Sequence, residues 1–140
     1  MSRVQLAINV ENLDEAIDFY SRIFDAVPAK VRPGYANFAI ADPPLKLVLF
    51  ENQGKGGSIN HLGVEVQTTE EVLATEGRLT RAELETTGID ETQCCYAEKT
   101  EVWVDGPDGV RWEWYVKHAD SDQFKNVVID RSQSKPKCCT

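Results

Sequence analysis

Two stretches of this chain are written to the same pattern, and that repetition limits what it can fold into more than anything else in the sequence. Val4-Gln5-Leu6-Ala7-Ile8-Asn9-Val10 and Asn60-His61-Leu62-Gly63-Val64-Glu65-Val66 both alternate apolar with small or polar residues, the period-two signature of a half-buried strand. Val4, Leu6, Ile8 and Val10 in the first copy, and Leu62, Val64 and Val66 in the second, are greasy enough to pack under a helix. Gln5, Ala7 and Asn9, and His61, Gly63 and Glu65, suit a face that lines a cleft. Gln5 and His61 therefore occupy equivalent faces of two equivalent strands, and His61 is read as the centre of a metal site.

At 140 residues the chain fits one compact domain with a real core, its cleft built between two halves. A formal charge of -8 argues against nucleic acid and anionic membrane surfaces as partners, since both require clustered positive charge. The expected partner is a small molecule. No apolar run is long enough to span a bilayer, and the N-terminus enters a strand without the basic and apolar regions of a signal peptide, so the expected location is the cytoplasm. The four cysteines form two adjacent pairs, Cys94-Cys95 and Cys138-Cys139. Neighbouring Cα atoms sit about 3.8 Å apart, whereas a relaxed disulfide wants about 4.4 Å or more. Each pair is expected to persist as a dithiol in a reducing cell.

After the first strand, Asn12 with Glu15 reads as a helix start, and Leu13, Ala16, Ile17, Tyr20 and Phe24 recur at helical spacing. Val27 to Val31, Tyr35 to Ile40 and Leu45 to Phe50 then read as strands, separated by the turn sequences Arg32-Pro33-Gly34 and Asp42-Pro43-Pro44. Asn52-Gln53-Gly54-Lys55-Gly56-Gly57 is expected to be a flexible connector. After the His61 strand, Thr68 with Glu71 predicts a helix running to about Thr86 and closed by Gly88. Strands are expected around Ile89 to Ala97, Thr100 to Val104 and Arg111 to Val116, the last two joined through Gly106-Pro107-Asp108-Gly109. The order βαβββ thus occurs twice, an α+β architecture. The spacing predicts one domain over 1–118, with module one at about 1–51 and module two at about 58–118. The polar segment 119–140 is expected to be a poorly ordered tail.

In the last strand Arg111, Glu113 and Tyr115 share one face while Trp112, Trp114 and Val116 share the other, so Glu113 is a lone carboxylate amid aromatics. If the modules pair face to face, Gln5, His61 and Glu113 converge. An imidazole, an amide oxygen and a carboxylate form a three-ligand set for a divalent ion, much like the facial triad of non-haem iron enzymes, with positions left open. A strand histidine is more often simply hydrogen-bonded to its surroundings, and a strand glutamate beside tryptophans can face solvent. Cys94 and Cys95 read equally as small core residues or as a soft-ligand pair.

The duplicated order, with Gln5, His61 and Glu113 at these places, resembles the vicinal oxygen chelate superfamily, which includes glyoxalase I, extradiol dioxygenases and bleomycin-resistance proteins. Within it, Ser2 to Ala7, Gly34 to Ala41 with Pro43 to Leu49, Asn60 to Val66, Cys94-Cys95-Tyr96-Ala97 and Val102-Trp103-Val104 look like the organoarsenical carbon-arsenic lyases and the cadmium-induced proteins. The resemblance covers roughly 1 to 117.

It implies two βαβββ modules forming a metal-containing cleft. It further implies an iron(II)-dependent dioxygenase that cleaves the carbon-arsenic bond of trivalent organoarsenicals such as methylarsenite, a route to arsenic resistance. Fe(II) would lie on Gln5, His61 and Glu113, with dioxygen as co-substrate and Cys94 and Cys95 holding arsenic. A trivalent arsenical is thiophilic, so soft sulfur ligands agree with that reading. Side chains of adjacent strand residues point to opposite faces, so joint chelation requires 93–96 to leave strand geometry, and a mobile loop is the expected solution. Two alternatives stand beside this. A glyoxalase-like lyase would need a second carboxylate, which Leu45 to Phe50 lacks; a non-catalytic stress protein would sequester cadmium or another soft metal. Cys138 and Cys139 receive no role, and the oligomeric state is a monomer or a homodimer.

Overall fold

The computed structural model describes residues 2–94, 96–120 and 127–128. The described residues form two compact units, one of Arg3–Leu62 and one of those from Gly63 onward. In each, a strand is followed by a helix and then by three strands, as expected for an α+β chain of βαβββ modules.

In the first unit β1 is Arg3–Val10, α1 Leu13–Phe24, β2 Lys30–Arg32, β3 Tyr35–Ile40 and β4 Leu45–Glu51. The sheet order is β2-β3-β4-β1, with β1 parallel to β4, Gln5 opposite Lys46 and Ile8 opposite Leu49. The helix begins where the sequence predicts: Asn12 accepts from the Glu15 N–H at 2.9 Å. A further orphan donor of the first turn, the Leu13 N–H, is met at long range by Glu51 Oε2, also at 2.9 Å. Leu6, Ile8 and Val10 of β1 pack with Leu13, Ala16, Ile17, Tyr20 and Phe24 of α1 around Ala36, Phe38, Leu47 and Leu49. Phe38 is fully buried, and its truncation to alanine costs about 3 to 5 kcal/mol. The other face of β1, with Gln5, Ala7 and Asn9, is also buried.

The 52–57 connector, expected to be flexible, is instead tied down. Glu11 accepts from the Gly54 N–H at 2.8 Å and from the Gly56 N–H at 2.8 Å, and the Gly57 N–H bonds the Asn9 carbonyl at 2.9 Å. A Cβ at Gly56 would lie 2.7 Å from Glu11 Cγ, so any side chain there would push the carboxylate out of its present position. The composition of the segment suggested a linker; the distant carboxylate turned it into an ordered loop.

β5, Ile59–Val66, leads into the second unit, which holds α2 Thr69–Arg81, β6 Asp90–Cys94, β7 Ala97–Asp105 and β8 Arg111–Asp120. A short β9, Val127–Val128, pairs with β6 and lies inside the expected tail; the rest of that tail after Asp120, Cys138 and Cys139 included, lies outside the described residues. The sheet order is β8-β7-β6-β9. The α2 start is a complete capping box, with the Glu71 N–H donated to Thr68 Oγ1 at 3.2 Å and the Thr68 N–H donated to Glu71 Oε2 at 3.0 Å.

The far end of α2 differs from expectation. The helix stops at Arg81 and not near Thr86; Glu83 takes a left-handed φ of 63°. The chain then lays Thr86 against Val104, and the Thr87 N–H donates to the Trp103 carbonyl at 3.0 Å. The β-branched pair Thr86-Thr87 gains more from the edge of β7 than from another helical turn. Val66, Val72, Val102 and Val116 form the core beneath α2, with Val64, Ile89 and Trp114 at its margin. No helix among the described residues is long and apolar enough to cross a membrane.

Candidate metal centre

Alternation decides which side chains leave the helix-covered cores. In the first unit Gln5 lies on the face of β1 turned away from α1, and His61 on β5 is 3% exposed. The two meet: Gln5 Nε2 is 3.1 Å from His61 Nε2. On the other side of the ring, His61 Nδ1 is 2.8 Å from Asn60 Oδ1. A carbonyl oxygen cannot donate, so Nδ1 carries the proton and Nε2 presents its lone pair toward Gln5. The Phe50 ring packs beside the imidazole with centroids 6.1 Å apart. A buried neutral imidazole with one nitrogen held and the other turned to an amide suits a divalent ion, because ligand histidines are oriented through their second nitrogen.

Glu113 belongs to the second unit. It lies on the face of β8 away from the α2 core, opposite Trp103 in the β7-β8 ladder, with Glu101 opposite Tyr115. Glu113 and Glu101 are each 1% exposed and Lys99 is 5% exposed. Lys99 Nζ donates to Glu113 Oε2 at 2.7 Å and lies 5.0 Å from the Tyr115 ring centre. Glu101 accepts from the Thr92 hydroxyl and from the Trp103 indole N–H. Burial pushes the Glu101 carboxyl up to about 7; the Lys99 charge opposes that shift and the Glu113 charge adds to it. This face therefore carries a buried network of two carboxyls and one ammonium. The opposite side of the same strands is apolar: Leu79, Leu84, Val104, Pro107, Trp112 and Trp114 line a recess of about 300 Å³.

Within the first unit the structure brings Gln5 and His61 together; Glu113 belongs to the second unit. Among the described residues no three His, Cys, Asp or Glu side chains gather as a metal-ligating group. Cys94 ends β6 and pairs in register with Ala97, the first residue of β7. Tyr96 has a left-handed φ of 63°; Cys95 lies outside the described residues.

Three residues escaped the sequence reading: Asn60, Lys99 and Glu101. Starting the strand at Thr100 left Lys99 out, yet Lys99, Glu101 and Trp103 alternate with Thr100, Val102 and Val104. Charges sharing a face with a tryptophan in mid-strand are the signal that could have found them. For Asn60 only its position beside His61 was available.

A model of the Glyoxalase/Bleomycin resistance protein/Dioxygenase superfamily matches residues 3–114. A cadmium-induced protein of Mycobacterium tuberculosis (strain ATCC 25618 / H37Rv) is 61% identical over 124 residues, 89% of this chain and 82% of that protein. A trivalent organoarsenical cleaving enzyme of Thermomonospora curvata is 50% identical over 141 residues, 100% of this chain and 89% of that enzyme. Among solved structures, the Mn(II)-bound glyoxalase of Novosphingobium aromaticivorans superposes with a TM-score of 0.60 at 16% identity, covering 88% of this chain and 43% of that one, which bears on the fold alone.

Proposed function

The chain belongs to the glyoxalase/bleomycin resistance protein/dioxygenase superfamily, and from that premise we propose that it is an enzyme cleaving the carbon-arsenic bond of trivalent organoarsenicals such as methylarsenite, with Fe(II) and dioxygen. The observation that carries this reading is the 50% identity, over the whole chain, to a protein named for that cleavage. In our reading residues 1–118 form the working domain and Gln5, His61 and Glu113 hold the iron.

The donor set suits such an ion: one imidazole, one amide oxygen and one carboxylate. Bound there, Fe(II) would supply redox chemistry and positions open to dioxygen and substrate. The protein's part is positioning. His61 offers Nε2 because Asn60 holds Nδ1. Gln5 already lies against that nitrogen, and rotation of its amide would present oxygen in place of nitrogen. Glu113 keeps its negative charge in a buried place because Lys99 is beside it.

Cys94 and Cys95 would capture arsenic as a dithiolate. Capture makes delivery to the iron effectively intramolecular, and it selects the trivalent, thiophilic form. For two adjacent thiols to reach one arsenic the chain must depart from strand alternation, and β6 ends at Cys94.

A second reading rests on the 61% identity to a cadmium-induced protein: the dithiols would sequester a soft metal without turnover. Single-turnover assays decide between them. Anaerobically Fe(II)-loaded protein mixed with methylarsenite is expected to release inorganic arsenite only after oxygen is admitted, with oxygen consumed. Protein that binds the arsenical yet consumes no oxygen and yields no arsenite would leave sequestration standing and remove the lyase reading.

A further inference from the structure

We propose that the 52–58 loop preceding β5 sets the tautomer of His61 through a one-way chain of hydrogen bonds, Lys55 to Ser58 to Asn9 to Asn60 to His61, which makes Asn9 and Asn60 positioning residues. Each link can be read in only one sense. The Ser58 hydroxyl donates to the Lys55 carbonyl at 2.5 Å, and a carbonyl can only accept. Having spent its proton there, Ser58 Oγ accepts from Asn9 Nδ2 at 2.9 Å. The Asn9 amide is thereby oriented with its oxygen away from Ser58, where Oδ1 accepts from Asn52 Nδ2 at 2.6 Å and from Asn60 Nδ2 at 3.1 Å.

That in turn faces the Asn60 oxygen to His61. Asn60 Oδ1 takes the proton of Nδ1 at 2.8 Å, and Nε2 is left as the acceptor that meets Gln5. The origin of the chain is fixed by backbone: the Asn9 N–H bonds the Ser58 carbonyl at 2.9 Å and the Lys55 N–H bonds the Asn52 carbonyl at 3.0 Å. Glu11, grasping the Gly54 and Gly56 N–H groups, holds the same loop. Asn9 is buried, so its amide orientation is set by these partners and not by water. A glycine-rich loop thus determines, through Asn9 of β1, which ring nitrogen of His61 is available to a ligand.

The tautomer claim stands on hydrogen bonds alone; its consequence for metal affinity rests on the reading of His61 as a ligand. The test is long-range proton-nitrogen NMR of the imidazole rings in the metal-free full chain, at a pH where they are neutral, with His118→Gln separating the two histidines. The parent is expected to show a single His61 form protonated at Nδ1. Asn60→Leu should yield a mixture or the opposite form, Asn60→Asp should restore the parent signature because its carboxylate also accepts, and Ser58→Ala should introduce a second population.

Should Asn60→Leu fail to fold, Ser58→Ala at the loop end of the chain carries the test. A parent-like ring spectrum in folded Asn60→Leu or folded Ser58→Ala overturns the proposal. Titration with Fe(II) under anaerobic conditions adds the second arm: Asn60→Leu should bind about 10 to 100-fold more weakly, and Asn60→Asp should recover. If the parent itself takes up no Fe(II), the metal reading falls, while the ring spectra still decide the relay.

Discussion

Lys99 Nζ lies 2.7 Å from Glu113 Oε2, with both side chains buried on the face of the second unit opposite its helix-packed core. Withdrawing two charges from water is costly, and here each compensates the other. Lys99→Met leaves the carboxylate without its ammonium and is expected to destabilise the chain by about 3 to 5 kcal/mol. The double variant Lys99→Met/Glu113→Leu should recover most of that loss. Urea denaturation of the four proteins measures the cycle; a single variant as stable as the parent would show the pair to be energetically idle.

Glu101 gives the second unit a pH dependence. Its carboxyl is raised from 4.5 to about 7, chiefly by burial, so between those values the folded state holds a proton that the unfolded chain has released. Stability therefore falls as pH rises from about 4.5 to about 7, by an amount on the order of a few kcal/mol, and levels off above. Glu101→Gln should abolish this contribution. Denaturation midpoints at pH 5 and pH 8 in parent and variant check it, and an equal pH response in both would contradict the assignment.

The metal proposal predicts different losses at its three positions. His61→Ala removes the only nitrogen donor of the set and should abolish both Fe(II) uptake and turnover. Gln5→Ala should weaken uptake while the fold persists, and Glu113→Gln should weaken uptake and also lower stability, since it leaves the buried Lys99 ammonium without its carboxylate. Iron content after anaerobic desalting, alongside circular dichroism, separates a lost ligand from a lost fold. Full iron retention in His61→Ala would place the metal elsewhere.

Replacement of Cys94 or Cys95 by serine is expected to abolish demethylation of methylarsenite and weaken arsenical binding, with fold and iron content unchanged. Deletion of the chain beyond Asp120, which removes Cys138 and Cys139, should cost much less, although it also removes the β9 pairing with β6. Single-turnover arsenite release reports both. Parent-like rates in either serine variant would sink dithiol capture, and an inactive truncation would shift arsenic binding to the C-terminal pair.

Glu11 accepts two glycine N–H groups of the connector, which hold its carboxyl below the usual carboxylate range. The stabilisation is present above the unfolded value of 4.5 and disappears as pH falls through the lower folded value. Glu11→Gln and Gly56→Ala should each loosen the loop, the second because a Cβ would meet Glu11 Cγ at 2.7 Å. Hydrogen exchange at Gly54 and Gly56 is the measurement; it should accelerate in both variants at pH 7, and for Glu11→Gln the difference from the parent should shrink as the parent's carboxylate is protonated.

Much of the fold could be read from local pattern. Tyr35 to Ile40 begins and ends where the sequence placed it, and Asn12 and Thr68 cap the helices they were expected to cap, because period-two alternation and capping are written within a few neighbouring residues. The assignment of Gln5 to the face away from α1, and of Glu113 to the side opposite Trp114, came from the same alternation. The α2 end was missed since Thr86 and Thr87 answer to β7, a partner distant in sequence.

By itself, then, the sequence determined the duplicated module, the helix starts and the faces on which Gln5, His61 and Glu113 lie. Only the tertiary structure decided the ordered connector under Glu11, the tautomer of His61 through Asn9 and Asn60, and the buried Lys99, Glu101 and Glu113 network. The physical reason is range. Backbone propensity and side-chain alternation act between neighbours, whereas the protonation and orientation of a buried polar group depend on donors and acceptors that folding brings from elsewhere in the chain, where low polarity makes each unmet partner costly.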